Sequence, residues 1–144
     1  MTERHTAVPS DAAHLPALTE FLRNFWSETG LPTVEAVPFE LALEEVFMNV
    51  VMHGSQGGRV PRVEVSVALV EGGVTLIVED DGPPFDPLSL LAPNVTASLE
   101  ERPIGGLGVF LVRQMMDSVR YQRRDARNQL QMTKQLAVGP STSK

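Results

Sequence analysis

Three short stretches carry residues able to do chemistry. In FELALEEVFMNVVMHG, residues 39–54, Glu45, Asn49 and His53 recur at intervals of four. At about 100° per residue that interval stacks the three side chains on one helix face, a turn apart. Glu44 lies about 140° around the same helix from Asn49, so spacing selects Glu45 as the member of the row. Taken alone, the row reads equally well as the solvated edge of an amphipathic helix. The second stretch, LIVEDDGPPFDP, ends an apolar run in Asp80, Asp81 and Gly82. An aspartate there can accept a hydrogen bond from an exocyclic amine such as that of adenine, and a glycine admits a ligand close to the backbone. An ordinary Asp-Asp-Gly turn accounts for the same residues. The third, GGLGVFLV, places Gly105, Gly106 and Gly108, with Leu107 between them, at a predicted helix start. Exposed N–H groups and the positive end of a helix suit an anionic phosphate. No GxxxxGK[ST] motif occurs anywhere, so a nucleotide would bind through another architecture.

The elements that must position these residues follow from periodicity. RHTAVPS is a short edge strand, and residues 10–31 form a helix that Ser10 or Asp11 can cap and Gly30 stops, with Pro16 in its first turns. Phe21, Phe25 and Trp26 read as core more readily than as a partner surface. Pro38 opens a second helix, along which Phe39, Leu43, Val46 and Val50 form the buried stripe, and Gly54 ends it. RVEVSVALVEGGVTLIVEDDG is a hairpin of two alternating strands about a Gly-Gly turn. Val74, Leu76, Val78 and Asp80 share one strand face, which puts Asp80 at the buried end and Asp81 away from it. Residues 82–104 are proline-bearing and aperiodic, and lie as a lid between two glycine motifs. A third helix follows with Leu107, Phe110, Leu111 and Met115 on one face, then two strands about a turn at 125–128. This order gives an α+β domain, with helices on one face of a mixed, mostly antiparallel sheet. It spans residues 1–137, with a flexible tail at 138–144.

Composition removes several function classes. The 144 residues are 42% hydrophobic and carry a formal net charge of -6, without a basic face for nucleic acid. There is no cysteine, which excludes disulfides, thiolate catalysis and cysteine-based metal sites. No signal peptide or membrane-spanning run is evident, and the expected location is the cytoplasm.

ALEEVFMNVVMHG, VEDDGPPFDP and GGLGVFLVRQMMDSVRY, in this order and at these intervals, resemble the N, G1 and G2 boxes of the GHKL, or Bergerat-fold, ATPases. Within that superfamily the chain is similar to the stand-alone anti-sigma factor serine/threonine kinases. The resemblance implies a two-layer α/β sandwich with three main helices, holding ATP beneath a lid. It makes Glu45 the general base and Asn49 the Mg²⁺ ligand, and adds His53 to the nucleotide row. Asp80 and Gly82 would meet the adenine, while Gly105, Gly106, Leu107 and Gly108 would meet phosphates. The implied activity is ATP-dependent phosphorylation of a STAS-domain anti-anti-sigma factor by a protein that also sequesters a sigma factor, with homodimerisation as an option. The alternative is a non-catalytic nucleotide-binding module. Pro84 favours it, standing where many relatives carry the second glycine of DxGxG and removing an N–H there.

Overall fold

The computed structural model describes residues 2–54, 58–89 and 106–136, Gly106 and Leu107 by their backbone only. Strand β1 (Glu3–Pro9) leads through a 3-10 turn at Ala12–His14 into helix α1 (Leu15–Thr29). Helix α2 (Val37–His53) follows, then strands β2 (Arg62–Val70) and β3 (Gly73–Asp80), helix α3 (Gly106–Met115), and strands β4 (Ser118–Arg124) and β5 (Arg127–Gln135). The five strands form one sheet in the order β1-β2-β3-β5-β4, and every ladder in it is antiparallel. The sheet is thus the antiparallel limit of the expected mixed one. The α+β architecture with three helices is as the sequence predicts.

Alternation explains why the helices cover one face only. Val63, Val65 and Val67 of β2, Val74, Leu76 and Val78 of β3, and Leu130 and Met132 of β5 point inward and join one core with Leu18, Leu22, Phe25, Phe39, Leu43 and Phe47. Phe25, Phe39 and Phe47 are fully buried, each worth about 1.5–3 kcal/mol of transfer free energy. Trp26 packs on Phe39 with ring centroids 5.3 Å apart and donates its Nε1–H to Pro32 O at 3.0 Å. The core reading of that aromatic cluster therefore holds. The outer face is polar: Arg127 lies 3.3 Å from Glu64 and 3.4 Å from Glu79, and Gln129 donates to Glu79 at 2.6 Å.

Four local details depart from expectation. Asp11 does cap, but it accepts from Ala13 N–H and so caps the 3-10 turn ahead of α1, not α1 itself. Gly54 ends α2 in an ordinary right-handed conformation, φ −82°. A Cβ there would stand 2.6 Å from Val50 O and 2.8 Å from Pro61 Cγ, so close approach demands the glycine and left-handed geometry does not. In α3 the buried face is Val109 and Val112, continued by Met116 just past the helix end, while Leu111 is half-exposed and Phe110 and Met115 only partly covered. That helix is apolar on most sides, so periodicity alone does not choose its inner face. The β4–β5 turn has two residues, Asp125 and Ala126, both at positive φ (55° and 61°), which places Asn128 inside β5 and not in the turn.

Of the expected lid, the described part runs to Ser89 and ends in a 3-10 turn at Pro87–Ser89. The rest of it, Gly105 and the expected tail lie outside the described residues. Among the described residues no helix is long and apolar enough to cross a membrane.

Candidate functional site

Helix α2 divides its faces as the spacing requires. Phe39, Leu43, Val46 and Val50 are buried, Glu44 is exposed and Glu45 is half-buried. Glu45 reaches the first turn of α3, where a Cβ on Gly108 would fall within its carboxyl group. Gly108 is thus the residue whose missing side chain makes room for that carboxylate. Burial, and secondly the neighbouring Glu44 charge, push the Glu45 carboxyl above its ordinary range. A carboxylate so placed is a stronger proton acceptor than a free glutamate at the same pH.

One turn along, Asn49 is 3% exposed and its Nδ2 is buried without a hydrogen-bond partner among the described residues. His53 Nε2 is in the same condition. An unmet buried polar atom costs about 1–3 kcal/mol, and native proteins seldom leave two on one helix face. The His53 ring stacks on Phe85 with centroids 4.5 Å apart and planes at 21°, tying the row to the segment that follows β3.

At the end of β3, Asp80 is 8% exposed while Asp81 faces away, as the alternation predicts. Asp80 Oδ1 accepts from Gly82 N–H at 2.9 Å and from Asn128 Nδ2 at 3.0 Å. Its Oδ2 takes no hydrogen bond among the described residues, leaving an acceptor for a ligand. Burial is the main cause lifting the Asp80 carboxyl above the usual range, against the lowering effect of those two donors and of Arg123. Asp81 is instead a structural residue. It accepts from Arg62 N–H at 2.8 Å and pairs with Arg59 at 3.4 Å, and these hold it below the usual range despite the opposing effect of burial. Gly82 is packed against Asp80 Oδ1 and Pro61 Cγ, each 3.0 Å from where a Cβ would stand.

Three residues that motif reading missed hold this end of the sheet. Asn128 pairs in register with Asp80 across the β3–β5 ladder. Besides donating to Asp80, it donates to Pro83 O at 2.8 Å and accepts from Phe85 N–H at 3.1 Å and Tyr121 O–H at 2.6 Å. Arg123 donates to Gly82 O at 2.8 Å. The signal was present in RNQLQMTKQ, where Asn128 alternates with Leu130 and Met132 and so must face inward.

Gly106 opens α3, followed by Leu107 and Gly108. Glu45 and Gly108 are therefore brought together, as are His53, Phe85, Asn128, Asp80 and Gly82 through successive contacts. Gly105 falls outside the described residues. Among the described residues no group of three or more His, Asp or Glu side chains could hold a metal ion. A divalent cation here would take one oxygen from the Asn49 amide and the rest from phosphate and water, the habit of Mg²⁺. The orphaned Asn49 Nδ2 is a donor and suits an acceptor oxygen of a ligand, while the oxygen of the same amide is of the type Mg²⁺ takes; with the unused Asp80 oxygen and a glycine helix start, the residues present fit ATP with Mg²⁺.

Comparison with known proteins agrees with the fold. Over 93 residues the chain is 32% identical to the serine/threonine-protein kinase BtrW of Bordetella bronchiseptica, a match spanning 65% of this chain and 66% of that protein. It is 27% identical over 121 residues to the serine-protein kinase RsbW of Bacillus subtilis, covering 80% of this chain and 74% of that one. The fold superposes with a TM-score of 0.66 and 15% identity on the crystal structure of the RsbU and RsbW domains of Rv1364c from Mycobacterium tuberculosis, covering all of this chain and 35% of that longer one. Residues 8–134 match the family described as the histidine kinase-like ATPase domain, and the chain belongs to that family.

Proposed function

We propose that the chain is an ATP-dependent protein serine/threonine kinase that acts as an anti-sigma factor in a partner-switching system, phosphorylating a STAS-domain anti-anti-sigma factor. The observation that carries the reading is Glu45: a half-buried carboxylate, raised in pKa, set against a glycine at a helix start and continuous with a row of unmet polar atoms. The kinase names of its relatives support the activity. The STAS partner, the sigma factor and a homodimer rest on the motif resemblance.

In this reading Asp80 accepts the adenine amine through its free oxygen, while the Gly82 N–H holds the other oxygen in place. The N–H groups of Gly106, Leu107 and Gly108 face phosphate oxygens. Asn49 supplies a protein oxygen to Mg²⁺, whose contribution when bound is to neutralise phosphate charge. Glu45 takes the proton from the attacking serine or threonine hydroxyl. The new bond joins that oxygen to the γ-phosphorus as the bond to the β–γ bridging oxygen breaks, and ADP departs. A positioned base of this kind contributes about 10²–10⁴-fold.

The test is transfer of labelled phosphate from Mg·ATP to a cognate STAS protein. Glu45→Ala should abolish transfer while keeping the thermal stabilisation that Mg·ATP gives the folded chain. Wild type and variant equally inactive on the true partner would defeat the kinase reading. The non-catalytic alternative drew on Pro84, but Asn128 binds the residues on either side of that proline, Pro83 O and Phe85 N–H. The missing N–H of Pro84 therefore leaves the start of the lid anchored.

A further inference from the structure

Helix α2 has a second apolar face that the core does not use. Val37 and Leu41, one turn apart, are 50% and 51% exposed, although the opposite stripe of the same helix is fully packed. Across from them on α3, Leu111 is 49% exposed. Leu41 and Leu111 line one open cleft of about 420 Å³ between the two helices, together with Val112 and Met115. Among the described residues the remaining lining is Glu44, Glu45 and Gly108, so an apolar groove opens directly on the carboxylate assigned as the base.

We propose that this α2–α3 cleft docks the phosphoacceptor segment of the protein substrate, with Leu41 and Leu111 as its specificity determinants. The proposal rests on the kinase reading above. Whatever fills the cleft must bring a hydroxyl to Glu45 and must cover two half-exposed leucines, so the acceptor serine or threonine carries a bulky aliphatic neighbour. Exposed Glu44 rejects a carboxylate beside that hydroxyl and favours a neutral or basic residue. The same two carboxylates and the apolar lining disfavour the polyphosphate of ATP, which places the nucleotide on the other side of Glu45. They also disfavour a second copy of this chain, because a two-fold contact through so small a cleft would crowd four carboxylates, Glu44 and Glu45 from each copy, into one apolar patch.

The experiment uses the full chain, Mg·ATP and a panel of purified STAS-domain proteins, comparing wild type with Leu41→Asp, Leu111→Asp and the conservative Leu41→Met. The aspartates should raise KM for the protein substrate roughly tenfold or more, the loss expected for one buried leucine contact, with little change in kcat. Leu41→Met should restore wild-type KM, and thermal stabilisation by Mg·ATP should be equal in all four proteins. Unchanged KM in both aspartate variants overturns the proposal, and so does a change in oligomeric mass caused by them, which would assign the cleft to a second copy. If wild type transfers no phosphate yet binds a panel member, the kinase reading fails, and docking is read from binding alone: loss in the aspartate variants supports the cleft, retention overturns it. Binding to no member of the panel overturns the occupant.

Discussion

Replacing Gly108 by alanine should leave the fold intact and remove phosphoryl transfer, a combination that only the observed packing predicts. Gly108 lies in the first turn of α3 without a positive φ, so its backbone does not need glycine. Alanine at a helical position is favoured over glycine by up to about 1 kcal/mol. The added methyl would occupy the space of the Glu45 carboxyl group, the far end of a flexible and half-exposed side chain. Glu45 gives way, and α3 stays where it is. Net stability should remain within about 1 kcal/mol of wild type. Transfer should fall by about 10²–10⁴, or roughly 3–5 kcal/mol of barrier, because the base leaves its position. Thermal melts, Mg·ATP titration and labelled transfer read the three quantities separately. Transfer within about threefold of wild type would refute the claim that Glu45 works from its place against Gly108. The same substitution at Gly54 supplies a contrast. There a Cβ meets Val50 O at 2.6 Å and Pro61 Cγ at 2.8 Å, backbone and ring atoms that cannot swing aside, so Gly54→Ala should lose about 1–3 kcal/mol.

Asn128→Ala removes two donated and two accepted hydrogen bonds at once, and should cost about 2–4 kcal/mol, lowering the melting midpoint on the order of 10 °C. A loss below about 0.5 kcal/mol would mean that water replaces the amide without penalty. Asp80 and Glu45 both titrate above their ordinary values of 3.8 and 4.5, so between those values and the folded ones the native state holds more protons than the unfolded chain. Their contribution to stability therefore falls as pH rises through that window, the sign opposite to that of a salt-bridged carboxylate. Urea midpoints of wild type and Asp80→Asn should diverge there, the variant gaining relative to wild type as pH rises, and parallel curves would contradict the assignment. Glu44→Gln removes the second cause of the Glu45 shift, so the rising limb of transfer rate against pH should move to lower pH. An unmoved limb would say that the limb belongs to another group.

What could be read from the sequence was whatever periodicity and spacing control. The selection of Glu45 over Glu44, the burial of Asp80 with Asp81 turned away, and the β2–β3 hairpin all follow from fixed angles per residue. Where a helix is apolar on several sides that logic loses its grip. In α3 the sequence offers two apolar faces, and packing against α2, not period, decides that Val109 and Val112 are buried. Asn128 was hidden for a different reason. Asp, Ala, Arg and Asn in succession suggest a turn, yet two consecutive positive-φ residues close the hairpin early and return Asn128 to the ladder. Local alternation with Leu130 and Met132 turns it inward, but its partner is a matter of register, the pairing with Asp80 48 residues away, which no local pattern contains.

Register also explains how a proline is tolerated just beyond β3. A glycine-rich turn at this position would leave the start of the lid free to sample many conformations. Here Pro84 restricts φ, and the amide of Asn128 grips both neighbours, while Arg123 fixes Gly82 O from β4. Three strands thus converge on one short segment, whose next side chain, Phe85, stacks on His53 of α2. Asp80 and the polar row of α2 are consequently joined through a continuous chain of contacts. The side of Asp80 that faces β4 and β5 is closed by Asn128 and Arg123, and the His53–Phe85 stack joins this end of the sheet to α2. Since Asn49 lies one turn from His53 and Glu45 one turn beyond, the contact that fixes Phe85 on α2 also fixes how far Asp80 stands from the Glu45 carboxylate.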